Sequence, residues 1–203
     1  MTTFRLISTA LALGVAVFAS NSAADAQAPG VADRCFGCHG KDGVTDNPDI
    51  PTIAGVGDFY IENQLTIFAE KARPCVVDFL PDWDAVDKCA LIGALSESQR
   101  AALVEYFAGL DFEPFEQPVD AALAERGAVI HAENCERCHT ENGTVSMDDS
   151  AILAGQPKQY LARQLRHFRA DKRWQLESMA AETEDLEDDD IDALVNFYAG
   201  AGH

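Results

Sequence analysis

Two motifs of the form Cys-x-x-Cys-His carry the residues best suited to chemistry: Cys35, Cys38 and His39, and Cys135, Cys138 and His139. Two thiols three positions apart near the start of a helix can both reach one haem, and the adjacent histidine then becomes the proximal iron ligand. A redox dithiol and half of a zinc site are the rival interpretations. Because a histidine follows the second cysteine in both copies, we predict two covalently attached haem c groups.

The two motifs belong to an internal repeat. At an offset of one hundred residues both motifs coincide, as do further matched positions: Gly43 with Gly143, Ala54-Gly55 with Ala154-Gly155, Tyr60 with Tyr160, Gln64-Leu65 with Gln164-Leu165, Phe68 with Phe168 and Arg73 with Arg173. At an offset of ninety-one, the segment 95–109 aligns with 186–200. The chain is therefore predicted to be a tandem duplication whose first copy has nine extra residues between Arg73 and Leu95.

The periodicity of apolar residues is helical in both copies, and no alternating strand pattern of any length is present. Ser96 and Gln99 have the form of a capping box, and Gly109 is placed to end that helix. We predict an all-α chain with two domains, residues 27–112 and 119–203, joined by a proline-containing linker at 113–118.

The N-terminus has the features of an export signal. An apolar run from Leu6 to Ala19 follows Arg5, and Ala24-Asp25-Ala26 supplies a cleavage site, which predicts a signal peptide at 1–26 and a periplasmic location. No other segment is long and apolar enough to span a membrane after cleavage. The formal charge of −19 excludes nucleic acid as the expected partner, because a phosphate backbone attracts basic surfaces.

A second axial ligand is expected far downstream of each motif, on a loop before the last helix of each repeat. In the second repeat Met179 lies seven residues before Leu186, at the expected place, whereas Met147 follows the motif too closely. The corresponding residue of the first repeat is Lys88. Three alternatives stay open there: a deprotonated Lys88 as ligand, a five-coordinate iron, or Lys88 at the surface.

Two cysteines, Cys75 and Cys89, lie outside the motifs and bracket the extra loop. In an oxidising compartment a disulfide between them is preferred, and it would contribute about 3 kcal/mol by restricting the unfolded chain. The alternative is a Cys89 thiolate ligand. Among the remaining histidines, His131, His167 and His203, a surface position is expected for each.

The run Cys35-Phe-Gly-Cys-His-Gly-Lys-Asp-Gly43, followed by Ile53-Ala-Gly55 and Tyr60-Ile-x-x-Gln-Leu65, resembles the dihaem class I cytochromes c over nearly the whole mature chain. The stretch 121–161 is especially similar to the cytochrome subunit of flavocytochrome c sulfide dehydrogenase. The resemblance implies adjacent haems, proximal His39 and His139, and distal Met179. Lys88 departs from the family, in which methionine occupies that position.

The resemblance implies an electron-transfer protein with redox-protein partners, which passes electrons from a dehydrogenase or other donor to a downstream acceptor. Two alternatives are kept. One is the dedicated cytochrome subunit of a flavoprotein sulfide dehydrogenase, where the chemistry belongs to the partner's flavin. The other is a dihaem enzyme that uses an open or lysine-ligated first haem.

Overall fold

The structure is a computed structural model, and it describes residues 28–77 and 84–202. The predicted signal peptide, residues 78–83 of the extra loop and His203 lie outside the described residues. Within residues 28–77 and 84–202, no helix is both long and apolar enough to cross a bilayer.

Helices dominate both halves of the chain. The N-terminal half contains α1 (Asp33–His39), a 3-10 turn (Lys41–Gly43), α2 (Asp58–Ala69), β1 (Val76–Val77), β2 (Val86–Asp87), α3 (Lys88–Gly93) and α4 (Glu97–Ala108). The C-terminal half contains α5 (Ala121–Ile130), a π turn (His131–Cys135), α6 (Thr140–Gly143), α7 (Lys158–Arg169), α8 (Glu177–Thr183) and α9 (Asp188–Ala201). The all-α prediction is confirmed. The one exception in the described residues is the antiparallel ribbon β1–β2, whose two-residue strands are too short to produce an alternating pattern.

Local signals account for where several helices begin and end. The Ser96 side chain accepts a hydrogen bond from Gln99 N, and the Gln99 side chain accepts one from Ser96 N, which is the predicted capping box of α4. Gly109 is the C-cap residue of α4, as predicted. Asp120 caps α5 by accepting hydrogen bonds from Ala122 N and Leu123 N.

Each half has its own apolar core. In the first, α2, α3 and α4 bury a cluster that includes Ile61, Phe68, Cys89, Leu103 and Phe107. In the second, α7 and α9 bury a cluster that includes Leu161, Ile191, Leu194, Val195 and Tyr198. Helix α5 crosses α9 so closely that a Cβ added at Gly127 would lie 2.2 Å from the Ala193 carbonyl oxygen.

The two halves contact each other directly. The Gln156 side chain bonds both backbone groups of Thr52: its Oε1 accepts from Thr52 N at 3.0 Å and its Nε2 donates to Thr52 O at 2.9 Å. Arg163 pairs with Asp49 at 2.6 Å, and Trp174 N donates to Ala72 O at 2.7 Å. These contacts join the two halves across their boundary.

Candidate functional site

A continuous cavity of about 650 Å³ lies between the halves, and both motifs open into it. Its walls are largely apolar and come from matched positions of the two halves, among them Ile53 and Leu153, Leu65 and Leu165, and Phe68 and Phe168. All six motif residues border this cavity, together with Lys88 and Met179. The structure therefore brings together every residue that the sequence predicts to hold the two haems.

Each motif histidine is oriented by a backbone carbonyl twelve residues further along the chain. His39 Nδ1 lies 2.8 Å from Pro51 O, and His139 Nδ1 lies 3.4 Å from Ala151 O. When Nδ1–H donates to that carbonyl, Nε2 carries the lone pair that binds a metal. Pro51 lies in the segment that leads into α2, and Ala151 lies in the segment that leads into α7. Each imidazole ring is therefore oriented by a residue of its own half.

Burial keeps both imidazoles neutral, which is the form that binds iron. It is the largest cause that lowers the pKa of His39 to about 3, and the positive charge of Lys88 adds to it. Burial likewise lowers the pKa of His139. His39 and Lys88 both line the cavity.

The motif thiols do not have the properties of a redox dithiol. Burial, with a smaller effect of Cys38, raises the pKa of Cys35 to about 11, and burial also raises the pKa of Cys135. Catalytic dithiols have lowered pKa values, because the thiolate is the nucleophile. Within the described part of the chain, all four motif cysteines lie outside disulfides. These properties fit thiols that become thioethers.

Lys88 and Met179 both line the cavity, and each lies in a short helix, so that the prediction of a loop at these positions is wrong. Lys88 is the first residue of α3; its backbone N–H donates to Cys75 O at 2.8 Å, and its Nζ lies 5.7 Å from the centre of the Phe68 ring. Burial, followed by the charge of Arg73, lowers the pKa of Lys88. Met179 lies in α8 and lines the cavity. Met147 also borders the cavity, but it is 51% exposed.

The predicted disulfide is present. Cys75 and Cys89 are bonded, with their Cα atoms 5.1 Å apart. The bond joins the start of the β1–β2 ribbon to α3, beside Lys88. The alternative of a Cys89 thiolate ligand is therefore wrong.

A buried polar cluster lies at the boundary of the halves, and sequence reasoning did not predict its pairing. Gln164 Oε1 accepts from Arg73 Nη2 at 2.9 Å and from Arg173 Nη1 at 2.8 Å. Gln64 Oε1 accepts from Arg173 Nη2 at 2.8 Å and from Arg73 Nη1. Each arginine also covers the phenylalanine of its own half, with Cζ 4.2 Å from the Phe68 ring and 4.4 Å from the Phe168 ring.

This cluster tests whether the cavity fits a haem. The Nε atoms of Arg73 and Arg173 are buried and have no hydrogen-bond partner among the residues described. Burial and the neighbouring charge of Arg173 lower the pKa of Arg73 to about 10. Two buried guanidinium groups with unused donors, at the edge of an apolar cavity, fit an anionic group such as a haem propionate. The cavity thus offers neutral histidines that suit a haem iron and arginine donors that suit the haem carboxylates.

The surface position expected for His131 is wrong. Its side chain is 1% exposed and bonds Tyr198 and Glu136, so that it is satisfied within the core. The internal repeat gave no indication that His131 is buried, because the residue one hundred positions earlier is Val31 and not a histidine.

Comparison with known proteins agrees with this geometry. Residues 122–197 match the family described as cytochrome C oxidase, cbb3-type, subunit III. The chain is 27% identical to cytochrome c4 of Azotobacter vinelandii, over 96% of this chain and 97% of that protein. It is 28% identical to the thiosulfate dehydrogenase electron acceptor of Thiomonas intermedia, over 78% of this chain and 73% of that protein.

Solved structures are similar as well. The crystal structure of reduced recombinant cytochrome c4 from Pseudomonas stutzeri has a TM-score of 0.68 and 26% identity, and it covers 83% of this chain and 94% of its own. The thiosulfate dehydrogenase TsdBA from Marichromatium purpuratum has a TM-score of 0.65 and 25% identity, over 81% of this chain and 36% of that one.

Proposed function

We propose that the chain belongs to the dihaem class I cytochromes c, to which it is similar over nearly its whole length, and that it works in the periplasm, where it passes electrons from a dehydrogenase to a downstream acceptor. It carries two covalently attached haem c groups, which supply one-electron chemistry by cycling between ferric and ferrous iron. The observation that carries the proposal is the shared cavity, into which both Cys-x-x-Cys-His motifs open. An electron can then cross between the halves without leaving the protein.

We assign the thioether bonds of the first haem to Cys35 and Cys38 and its proximal ligand to His39. For the second haem the corresponding residues are Cys135, Cys138 and His139. The neutral imidazoles and the unused Arg Nε donors support this assignment. Arg73 and Arg173 would hold the propionates.

Met179 is the distal ligand that we propose for the second haem, and Lys88 for the first. Both residues line the cavity, and burial favours the neutral amine of Lys88, which is the form that binds iron. A methionine ligand raises the reduction potential of a c-type haem. Electrons would therefore run from the lysine-ligated first haem to the methionine-ligated second haem.

The chain organisation that we propose is a signal peptide at 1–26, two duplicated domains at 27–112 and 119–203, and a linker at 113–118. Helices α2 and α7 have the same length and begin one hundred residues apart, which supports the duplication. The Cys75–Cys89 disulfide supports an oxidising compartment.

For the electron donor we propose an enzyme that oxidises thiosulfate, because relatives include the electron acceptors of thiosulfate dehydrogenases. A flavoprotein sulfide dehydrogenase is the alternative donor. Co-purification from the native periplasm distinguishes them: a partner that carries flavin supports the alternative, and one without flavin supports the proposal.

Haem stoichiometry tests the assignment. After expression with a cytochrome c maturation system, the purified chain should contain two haems, and His-preserving Cys35→Ser/Cys38→Ser and Cys135→Ser/Cys138→Ser variants should each contain one. A single haem in the unmodified chain would contradict the proposal. Rapid binding of carbon monoxide to one reduced haem would instead favour the dihaem enzyme.

Lys88→Met tests the ligand of the first haem. The lower of the two reduction potentials should rise and the ferric spectrum of that haem should change. Lys41→Met is the matched control, because the Lys41 side chain is 91% exposed. Equal behaviour of the two variants would show that Lys88 is not a ligand.

A further inference from the structure

His131 begins the π turn that follows α5, and both of its ring nitrogens are engaged inside the protein. Nδ1 lies 2.9 Å from the Tyr198 hydroxyl, and Nε2 lies 2.5 Å from Glu136 Oε2. Tyr198 belongs to α9, whereas Glu136 lies between the two cysteines of the second motif. A histidine side chain therefore joins the C-terminal helix to the haem-attachment segment.

Glu136 extends this connection to the loop behind the proximal histidine. Its Oε1 accepts from Glu141 N at 2.9 Å, and its Oε2 accepts from Asn142 N at 3.3 Å. These two residues have φ values of 53° and 60°, in the left-handed region that non-glycine residues rarely adopt. The carboxylate thus stabilises a strained backbone two to three residues after His139.

The loop after His139 is also hydrogen-bonded, through Gly143, to the segment whose carbonyl group lies beside His139 Nδ1. Gly143 N donates to His139 O at 3.1 Å, and Gly143 O accepts from Leu153 N at 2.8 Å. Leu153 lies two residues after Ala151, whose carbonyl faces His139 Nδ1. A displacement of the loop would therefore be passed on to the ring that binds iron.

In the first half, the corresponding loop is bonded to the last helix without a histidine. Asp42, with φ of 56°, occupies the position that matches Asn142, and its Oδ1 accepts directly from the Tyr106 hydroxyl at 2.8 Å. Each half thus ties a tyrosine of its last helix to the loop after the motif. Within the described residues, the second half alone does so through an imidazole and the carboxylate of Glu136.

We propose that His131 is a positioning residue for the second haem: the Tyr198–His131–Glu136 relay fixes the loop after His139 and thereby the orientation of its imidazole. The inference rests on the proposed function. Hydrogen bonding of the non-ligating nitrogen makes a histidine a more basic ligand, which favours ferric iron. Loosening the relay should weaken that bond and raise the potential of the second haem.

The test uses the holoprotein with His131→Leu, which removes both hydrogen bonds, and His131→Gln, whose amide keeps a donor and an acceptor. In His131→Leu the potential of the second haem should rise, and amide hydrogen exchange at Glu141 and Asn142 should accelerate at least tenfold. The first haem should keep its potential. His131→Gln should restore most of the original behaviour.

Two further variants guard against a purely structural effect. Glu136→Gln changes a side chain that is 42% exposed, so that folding is retained, and it should shift the second haem in the same direction as His131→Leu. Asp42→Asn, the matched change in the first half, should shift only the first haem. If His131→Leu and Glu136→Gln lower the unfolding temperature but leave both potentials unchanged, the inference is wrong. A haem count below two in the unmodified chain would instead contradict the proposed function.

Discussion

Arg73 Nη2 donates to Gln164 Oε1 at 2.9 Å, across the boundary between the two halves. The same oxygen accepts from Arg173 Nη1. One glutamine from the C-terminal half thereby holds two buried guanidinium groups, one from each half, at the edge of the haem cavity. This contact joins the two halves, and it also holds two positive charges beside the cavity.

Gln164→Ala should lower the free energy of unfolding by about 1–3 kcal/mol, because it leaves buried arginine donors without their acceptor. Denaturant unfolding of the holoprotein measures the loss. Gln159→Ala is the control, since Gln159 is an exposed residue of the same helix. Equal unfolding midpoints for the two variants would show that the cluster does not contribute to stability.

Removing the Cys75–Cys89 disulfide should cost about 3 kcal/mol, because the bond restricts the unfolded chain across a separation of 14 residues. The double variant Cys75→Ser/Cys89→Ser, compared with the unmodified chain by thermal or denaturant unfolding, measures this effect. Treatment with a thiol reductant should lower the stability of the unmodified chain and leave the double variant unchanged. A reductant effect on the double variant would place the sensitive bond elsewhere.

Asp188 should give α9 a contribution to stability that depends on pH. A hydrogen bond from Arg169 Nη2 at 2.8 Å, aided by the charges of Arg169 and Arg166, holds the pKa of this carboxyl below its usual value. Because the folded pKa is lowered, the contribution is present above the unfolded pKa of about 3.9 and is lost as the pH falls through the folded value.

Asp188→Asn should therefore be less stable than the unmodified chain at pH 7, and the two should converge as the pH falls below the folded pKa of Asp188. Asp189→Asn is the control for the helix dipole, because Asp189 lies in the same first turn of α9. If the two variants lose equal stability at pH 7, the arginine contacts are not the cause.

Gly127→Ala should destabilise the C-terminal half by about 1–3 kcal/mol, because its new Cβ would overlap Ala193 O at the crossing of α5 and α9. Gly93→Ala is the control: this glycine ends α3 and has no atom within 4 Å of an added Cβ, so it should be neutral or slightly stabilising. A Gly127→Ala variant as stable as the control would contradict the close crossing.

Local features of the sequence predicted local structure well. The capping box of α4 depends only on Ser96 and Gln99, which are three residues apart, and it is present. The spacing of Lys88 and Met179 from the helices that follow placed both at the cavity wall. The disulfide was also predictable, because only two cysteines remained outside the motifs.

Contacts between distant segments were not predictable in the same way. The one-hundred-residue offset identified Gln64 and Gln164 as equivalent, but equivalence of position does not imply that the two residues are neighbours. His131 was expected at the surface because a single histidine carries no periodic signal, and its burial depends on Tyr198, sixty-seven residues away. Such pairings arise only when the helices pack.

The double hydrogen bond between Gln156 and Thr52 has a consequence for whether the two halves can be separated. The amide of Gln156 supplies Thr52, a buried residue, with both a donor and an acceptor. The residue that satisfies Thr52 follows it by 104 positions and belongs to the C-terminal half. An N-terminal half expressed alone would lack both of these partners, and water would have to replace them at a surface that the second half otherwise covers.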